Sequence, residues 1–118
     1  MNCVLLTGRI GSDPELRTLP SGTQITEMRV AVNDNYKNKN GEKVERTHWV
    51  TVKAFGKLAD LASTYLSRGN KVGIIGRFNY EEWETEGHRR SKVTIIANKL
   101  EFMSSKAIKT GEPEKEPF

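Results

Sequence analysis

The sequence predicts an all-β domain with one helix, and three of its features lead to that class. Five stretches read as β-strands, most of them with the alternation of apolar and polar residues that half-buried strands show. One stretch, residues 58–66, places apolar residues at helical spacing instead. The breaks between these stretches contain turn formers such as Pro20 and Gly22. The chain of 118 residues has room for one domain with a small core.

The first predicted strand covers about residues 2–10 and is apolar at both odd and even positions. One of its faces is expected to meet the core, and the other a partner subunit or the helix. Cys3, the one cysteine, forms no internal disulfide and is expected to pack within this strand. Residues 11–22 are predicted to form a loop, and a second strand follows over about residues 25–33.

The third predicted strand, about residues 47–55, has the most informative alternation. Its even-numbered residues from Val50 to Ala54 are small and apolar and are assigned to the core. Its odd-numbered residues include Trp49, Lys53 and Phe55, which face the other way. The strand is therefore predicted to present one core face and one aromatic and basic face.

The remaining elements complete the order β-β-β-α-β-β. The pair Asn40-Gly41 predicts a hairpin turn with two long polar arms ahead of the third strand. Gly69 is placed where a helix end favours a left-handed residue. A fourth strand over about residues 71–84, a turn at Glu86-Gly87 and a fifth strand over about residues 88–102 follow. This order matches the OB-fold, a five-stranded Greek-key barrel that binds oligonucleotides or oligosaccharides.

The charge is unevenly distributed along the chain. The formal net charge is +4, but residues 112–118 carry −2, which leaves +6 on the rest. The composition predicts an OB-fold domain over residues 1–103 and a disordered acidic C-terminal tail over residues 104–118. No stretch has the length and apolarity of a membrane span, and the first residues do not resemble a secretory signal. A cytoplasmic protein without membrane contact is therefore expected.

Four aromatic residues lie where bases could stack on them. Binding of single strands by a sheet requires flat aromatic faces and cations that follow the phosphates. The predicted stacking residues, on the hairpin arms or the outward strand face, are Tyr36, Trp49, Phe55 and Trp83. The basic residues expected to contact phosphates are Arg9, Lys37, Lys39, Lys43, Lys53, Lys57, Arg77, Arg89 and Arg90. The alternative is that Trp49 and Phe55 belong to the core and the lysines form a solvated rim.

The sequence contains no arrangement typical of a catalytic or metal site. Asp13 and Glu15 flank Pro14 in a predicted turn without a third carboxylate or a histidine nearby, and are interpreted as a solvated turn. His48 and His88 have no partner motif. The glycines form no phosphate-binding loop ahead of a helix. No catalytic residue, metal or cofactor is therefore predicted, and the chain is not expected to be an enzyme.

Several segments resemble the bacterial single-stranded DNA-binding protein family over about residues 2–103. These segments are LLTGRIGSDPELR, PSGT, VAVN, WVTVKAFGKLAD, YLSRGNKV and GRF. The string from Trp49 to Ala59 is the most discriminating of them. The resemblance implies that the family's base-stacking aromatics are Tyr36, Trp49, Phe55 and Trp83. It also implies single-stranded DNA as partner, a homotetramer, and roles in DNA replication, repair and recombination.

One departure from the family lies just before Trp83. The family usually has basic residues there, whereas this chain has Glu81 and Glu82. These carboxylates are expected to repel phosphates and weaken that part of the binding track. The basic residues across the hairpin that would offset the repulsion are Arg89, Arg90 and Lys92.

The tail is the second departure, because its linker is shorter than in many family members and Lys115 interrupts the acidic run. The tail is predicted to dock onto replication and repair proteins, with its aromatic end in an apolar pocket rimmed by Lys or Arg. The residues assigned to this role are Glu112, Glu114, Glu116, Pro117 and Phe118. A merely solvated C-terminus is the alternative.

Two other functions remain open at this stage. An OB-fold protein-protein adaptor would keep the barrel and use acidic residues such as Glu81 and Glu82. An OB-fold nuclease or sugar-binding module would need an active or ligand site, which the sequence does not reveal. The aromatic and basic face favours single-stranded DNA binding over both.

Overall fold

The computed structural model describes residues 1–103, which form eight β-strands and one α-helix. The elements are β1 (Val4–Ile10), β2 (Glu15–Thr18), β3 (Gln24–Asn33), β4 (Tyr36–Lys37), β5 (Lys43–Val44), β6 (Thr47–Phe55), α1 (Lys57–Tyr65), β7 (Lys71–Thr85) and β8 (His88–Phe102). The five long strands and the helix confirm the predicted all-β class and the order β-β-β-α-β-β. Within these residues, no helix has the length and apolarity needed to cross a membrane.

The five long strands close into a ring. β1 pairs with β7, β7 with β8, β8 with β6, and β6 with β3. The end of β1 then turns onto β3, where Ile10 lies opposite Val30 and completes the ring. The pairing of β6 with β8, at Val52 and Ile95, is parallel, and the other pairings of the ring are antiparallel. A closed five-stranded ring of this kind is the barrel of an OB-fold.

The core fills the barrel with small and branched side chains. Its buried members are Ile10, Met28, Val30, Val52, Ala54, Ala59, Ala62, Leu66, Val72, Ile74, Ile95, Ala97 and Leu100. The alternation predicted for β3 and β6 is confirmed, since Val30, Val52 and Ala54 are fully buried. Helix α1 buries Ala59 and Ala62, and the Thr26 hydroxyl on β3 donates a hydrogen bond of 2.8 Å to the Ala59 carbonyl. These contacts fix the helix against the barrel.

Two expectations for the first part of the chain are wrong. Residues 11–22 are not a continuous loop, because Glu15–Thr18 forms β2 and pairs with β3. All four residues of β2 are exposed. The strand therefore has no buried face that a pattern of apolar residues could reveal. Cys3 is exposed and precedes β1, so it does not pack within the strand.

Two other turns differ in detail from the expectation. The hairpin around Asn40-Gly41 exists, but its paired arms, β4 and β5, have only two residues each. Gly69 is left-handed, with φ of 89°, yet it does not cap α1. The helix ends at Tyr65 with Leu66 in an extended conformation, and Gly69 belongs to the turn that leads into β7.

The strands β7 and β8 continue beyond the barrel as a two-stranded ribbon, here called the β7–β8 arm (residues 77–94). Within the arm these strands pair only with each other. A register shift between Ile75 and Gly76 marks its base, where a Cβ on Gly76 would overlap the carbonyl oxygen of Ile96. The predicted turn at Glu86-Gly87 closes its tip with φ of 52° and 77°, as in a two-residue hairpin turn with positive φ at both positions.

Candidate nucleic-acid interface

The outward face of β6 carries two exposed aromatic rings. Trp49 is 54% exposed and Phe55 is 39% exposed, whereas Val52 and Ala54 on the opposite face are fully buried. Residues of a strand alternate between its two faces, so both rings lie on the outer side of the barrel. The alternative that Trp49 and Phe55 are core residues is therefore wrong.

The indole of Trp49 packs against the segment around Gly11 in a defined position. A Cβ on Gly11 would overlap Cζ3 of Trp49 and lie 3.0 Å from its Cη2, so the ring uses the space that the glycine leaves open. The Gly11 amide donates a hydrogen bond of 2.7 Å to the Arg29 carbonyl, which ties this segment to β3. The Arg29 guanidinium lies 5.5 Å from the centre of the Trp49 ring.

Three of the four predicted stacking aromatics have a cation beside the ring. Arg29 accompanies Trp49, Arg46 lies 5.4 Å from the centre of Tyr36, and the Lys92 ammonium lies 6.0 Å from the centre of Trp83. These distances fall within the range of cation–π attraction. A cation close to a stacking ring also attracts the phosphates of a single strand.

Sequence reasoning paired none of these three cations with a ring. It counted Arg46 among the basic residues between Tyr36 and Lys57, gave Lys92 only as an offset to Glu81 and Glu82, and did not assign Arg29 to the site. For Arg29 a signal was present, because the alternation of β3 turns its side chain outward, beside the aromatic face of β6. The pairing of Arg46 with Tyr36 depends on the geometry of the short β4–β5 hairpin, which the sequence does not specify.

The β4–β5 hairpin brings Tyr36 together with lysines that were predicted to bind phosphates. Tyr36 pairs with Val44, and Lys37 pairs with Lys43. An open cleft of about 370 Å³ is lined by Asn35, Tyr36, Lys37 and Lys43. The turn itself is held by the Asn38 side chain, whose Oδ1 accepts hydrogen bonds of 2.9 Å from the amides of Asn40 and Glu42.

Lys53 lies on the predicted face but already has an acidic partner. Its ammonium donates a hydrogen bond of 2.9 Å to Oε1 of Glu81 on the β7–β8 arm. The Thr94 hydroxyl donates a hydrogen bond of 2.7 Å to the other carboxylate oxygen, Oε2. The Lys53 hydrogen bond and, second, the Thr94 hydrogen bond lower the pKa of Glu81 below the ordinary value of a glutamate. Glu81 is therefore a bound, ionised carboxylate.

The other predicted phosphate-binding residues differ in whether their charged groups already have a partner. Within residues 1–103, no ion pair is formed by Lys37, Lys39, Lys43, Lys57, Arg77 or Arg90. Arg9 donates a hydrogen bond of 3.0 Å to the Gly69 carbonyl, and Arg89 lies 4.0 Å from Glu82. Arg90 is directly opposite Trp83 in the arm, so its charge accompanies that ring.

Two of the acidic and histidine residues considered for catalysis, Asp13 and His48, have structural partners. Oδ1 of Asp13 accepts a hydrogen bond of 2.7 Å from the Arg68 amide. Nε2 of His48 lies 3.3 Å from Oδ2 of Asp34 on the exposed surface. In the part of the chain that the structure describes, no three His, Cys, Asp or Glu residues are grouped as metal ligands would be.

A second set of exposed apolar side chains lies away from the aromatic face. Leu5 on β1 is 69% exposed, as the two-sided apolar pattern of the first strand predicts. On the β7–β8 arm, Phe78, Tyr80 and Val93 are about half exposed and share one side of the ribbon, because Tyr80 pairs with Val93. Trp83 is at an odd position of β7 and so lies on the opposite side.

The model of the single-strand binding protein family matches residues 1–103. A single-stranded DNA-binding protein of Aquifex aeolicus is 43% identical over 104 residues, which are 88% of this chain and 71% of that protein. A single-stranded DNA-binding protein of Wolinella succinogenes is 36% identical over 118 residues, 99% of this chain and 73% of that protein. One from Neisseria meningitidis is 33% identical, and this chain spans only 64% of its length.

Two solved structures share the fold. A deletion mutant of the single-stranded DNA-binding protein from Thermus aquaticus superimposes with a TM-score of 0.78 and 25% identity, over 92% of this chain and 52% of that one. A Plasmodium falciparum SSB in complex with single-stranded DNA superimposes with a TM-score of 0.77 and 26% identity, over 86% of this chain and 91% of that one. The tail residues predicted to bind partners, Glu112, Glu114, Glu116, Pro117 and Phe118, lie outside the described residues.

Proposed function

The chain belongs to the single-strand binding protein family, and we propose that it binds and protects single-stranded DNA without sequence preference during DNA replication, repair and recombination. It acts as a binding protein and not as an enzyme. Its place of action is the cytoplasm, at the nucleoid. The adaptor alternative gains no separate support from residues 1–103, since Glu81, one of the acidic residues behind it, is engaged by Lys53.

The observation that carries this proposal is the set of exposed aromatic rings with cations beside them. Trp49, Tyr36 and Trp83 are each 40% exposed or more, and each has an Arg or Lys within about 6 Å of the ring centre. Bases stack on such rings whatever their identity, because every base has a flat π-face. Phosphates are held by the neighbouring cations, which makes the affinity depend on salt. This arrangement binds single strands without reading their sequence.

The experiment is a titration with oligo-dT that follows tryptophan emission. Stacking on Trp49 and Trp83 is expected to quench the emission. Trp49→Ala is expected to weaken binding by roughly 1 to 3 kcal/mol while the protein stays folded. Tyr65→Ala is the matched control, because Tyr65 is 49% exposed but packs beside Phe102, with ring centres 6.0 Å apart, instead of lying on the predicted track. Equal affinities for wild type and folded Trp49→Ala would refute the stacking role.

Homotetramer formation is part of the proposal and is supported by the apolar surface outside the track. A barrel of this size leaves Leu5 and the Phe78, Tyr80 and Val93 side of the arm open to water, and exposed apolar patches of this kind mark interfaces. Light scattering is expected to give about four times the 13.3 kDa mass of one chain. Leu5→Glu is expected to lower that mass, and Leu16→Glu on exposed β2 is the control. A monomeric wild type at micromolar concentration would contradict the proposal.

We also propose that residues 112–118 bind replication and repair proteins. The support comes from the sequence alone, in which three glutamates precede an aromatic residue next to proline, a combination that suits an apolar pocket with a basic rim. In a pull-down from bacterial extract, Phe118→Ala is expected to lose partners that the wild type retains, whereas Ile108→Ala is expected to retain them. Identical partner sets for Phe118→Ala and the wild type would refute the docking role.

A further inference from the structure

The β7–β8 arm has no third strand to hold it in place, yet it carries Trp83. Two-stranded ribbons are marginal on their own and twist more than strands inside a sheet. The register shift between Ile75 and Gly76 lies at the base of the arm, where pairing with β1 ends. The position of Trp83 relative to Trp49 and Phe55 therefore depends on whatever contacts tie the arm to the barrel.

Glu81 supplies the shortest of the ionic ties. Its carboxylate joins three strands, because it belongs to β7, accepts a hydrogen bond from Thr94 on β8 and accepts another from Lys53 on β6. The side chains of Lys53 and Glu81 are 15% and 29% exposed, so water screens this pair less than a pair on the open surface. Both carboxylate oxygens have donors, which is the geometry in which a charge-assisted hydrogen bond holds best.

A second, longer tie runs parallel to the first. The Lys92 ammonium on the arm lies 3.9 Å from Oε1 of Glu27 on β3. Glu27 is directly opposite Lys53 in the pairing of β3 with β6. Lys53 and Glu27 are thus neighbouring opposite charges on the barrel, and their pairs with Glu81 and Lys92 draw the arm towards β6, which carries Trp49 and Phe55, and towards β3.

We propose that Glu81 is a positioning residue that clamps the β7–β8 arm to β6 through Lys53, and so fixes Trp83 relative to Trp49 and Phe55 for a bound strand. This inference rests on the proposed function, because the clamp matters only if those rings stack bases. The acidic residue is then not a weak point in a basic track. It holds the track together, and its ion pair with Lys53 neutralises a charge that would otherwise attract phosphates.

Glu81→Gln and Glu82→Gln form a matched pair that separates clamping from repulsion. The two residues are adjacent on β7, so their side chains lie on opposite sides of the arm. Glu82 is paired with Arg89 at 4.0 Å and, within residues 1–103, forms no ion pair with a barrel strand. If both glutamates only repel phosphates, both substitutions tighten oligo-dT binding. The clamp predicts that Glu82→Gln binds at least as tightly as wild type, whereas Glu81→Gln binds about 3- to 10-fold more weakly, because a smaller fraction of the protein has its arm in place.

The fluorescence of Trp83 tests the clamp without DNA. In a Trp49→Phe background, Trp83 is the one remaining tryptophan. Glu81→Gln and Lys53→Gln are each expected to lower the steady-state anisotropy of Trp83 and shift its emission, and Glu82→Gln is expected to do neither. The reversed pair Lys53→Glu with Glu81→Lys is expected to restore part of the anisotropy. This readout separates the inference from the function, because a clamp without DNA stacking would still change the anisotropy.

A double-mutant cycle on oligo-dT affinity completes the test. If Lys53 and Glu81 act through each other, the double substitution to Gln costs about as much as the larger single one. Additive losses would assign Lys53 to phosphate contact independent of Glu81 and overturn the clamp. Tighter or unchanged binding by folded Glu81→Gln, with unchanged Trp83 anisotropy, would also overturn it. A Trp83→Ala variant with wild-type affinity would instead refute the stacking role of that ring.

Discussion

Replacement of Gly11 by alanine is expected to weaken single-stranded DNA binding without unfolding the protein. Gly11 is not left-handed, so an alanine there does not strain the backbone. Its Cβ would overlap Cζ3 of Trp49 and lie 3.0 Å from Cη2. Ordinary carbon contacts need about 3.5–4.0 Å, so the ring has to move outward by roughly 1–1.5 Å to clear Cζ3. Trp49 is 54% exposed and free to make this shift at little cost in stability.

The expected loss of affinity follows from the contribution of one stacked base. A displaced ring still stacks, but less well, so the loss is expected near the lower end of the roughly 1 to 3 kcal/mol of a full stack. A loss of 1 kcal/mol corresponds to about a fivefold weaker Kd. The assay is an oligo-dT titration in a Trp83→Phe background, in which the emission of Trp49 reports the shift of the ring directly.

The matched control makes the same substitution three residues earlier. A Cβ on the buried Gly8 would overlap the carbonyl oxygen of Ala31, a backbone atom that cannot rotate away. Gly8→Ala is therefore expected to lower the free energy of unfolding by about 1–3 kcal/mol, as overpacking does. If Gly11→Ala shifts the Trp49 emission but keeps the wild-type affinity, the position of the Trp49 indole does not matter for binding and the argument is refuted.

Three further predictions concern the charges around the rings. Arg29→Gln is expected to change Trp49 emission in the free protein and to weaken oligo-dT binding, which a calorimetric titration checks. Lys43→Gln is expected to lower the slope of log K against log salt by about 0.7 for one lost phosphate contact, whereas Lys99→Gln, whose ammonium is paired with Glu101 at 3.1 Å, leaves the slope unchanged. Because the pKa of Glu81 is lowered in the folded state, its stabilising effect is complete above the ordinary pKa of a glutamate and disappears as the pH falls through the lowered value. The difference in Tm between wild type and Glu81→Gln is therefore expected at neutral pH and should vanish in acid; a difference that persists there would contradict the assignment.

The strands that the sequence predicts well are those with one buried and one exposed face. The predicted third strand matches β6 (Thr47–Phe55), because a core face of small residues alternates with an aromatic face. That alternation also placed Trp49 and Phe55 outside the core, as their exposure shows. β2 was missed for the opposite reason: all its residues are exposed, and it is recognised only by its pairing with β3.

The electrostatics of the candidate site were harder to predict, because they depend on contacts between distant residues. Lys53 and Glu81 are 28 residues apart in the chain. From the sequence alone, Lys53 was predicted to contact phosphates and Glu81 to repel them. The fold joins them in one ion pair. The cation beside Trp49 likewise comes from the neighbouring strand β3, since Ala31, two residues after Arg29, is the residue opposite Trp49.

Bases are expected to stack on the aromatic rings of the barrel face and on Trp83 of the arm, and photo-crosslinking identifies the rings that they contact. Oligo-dT that contains 5-iodouracil is irradiated with the full-length wild-type chain, and the crosslinked residues are identified by mass spectrometry. Exposed aromatics elsewhere, Tyr65 and Phe102, serve as internal controls. Crosslinks are expected at Tyr36, Trp49, Phe55 and Trp83. Crosslinks concentrated on Tyr65 or Phe102 would contradict this stacking.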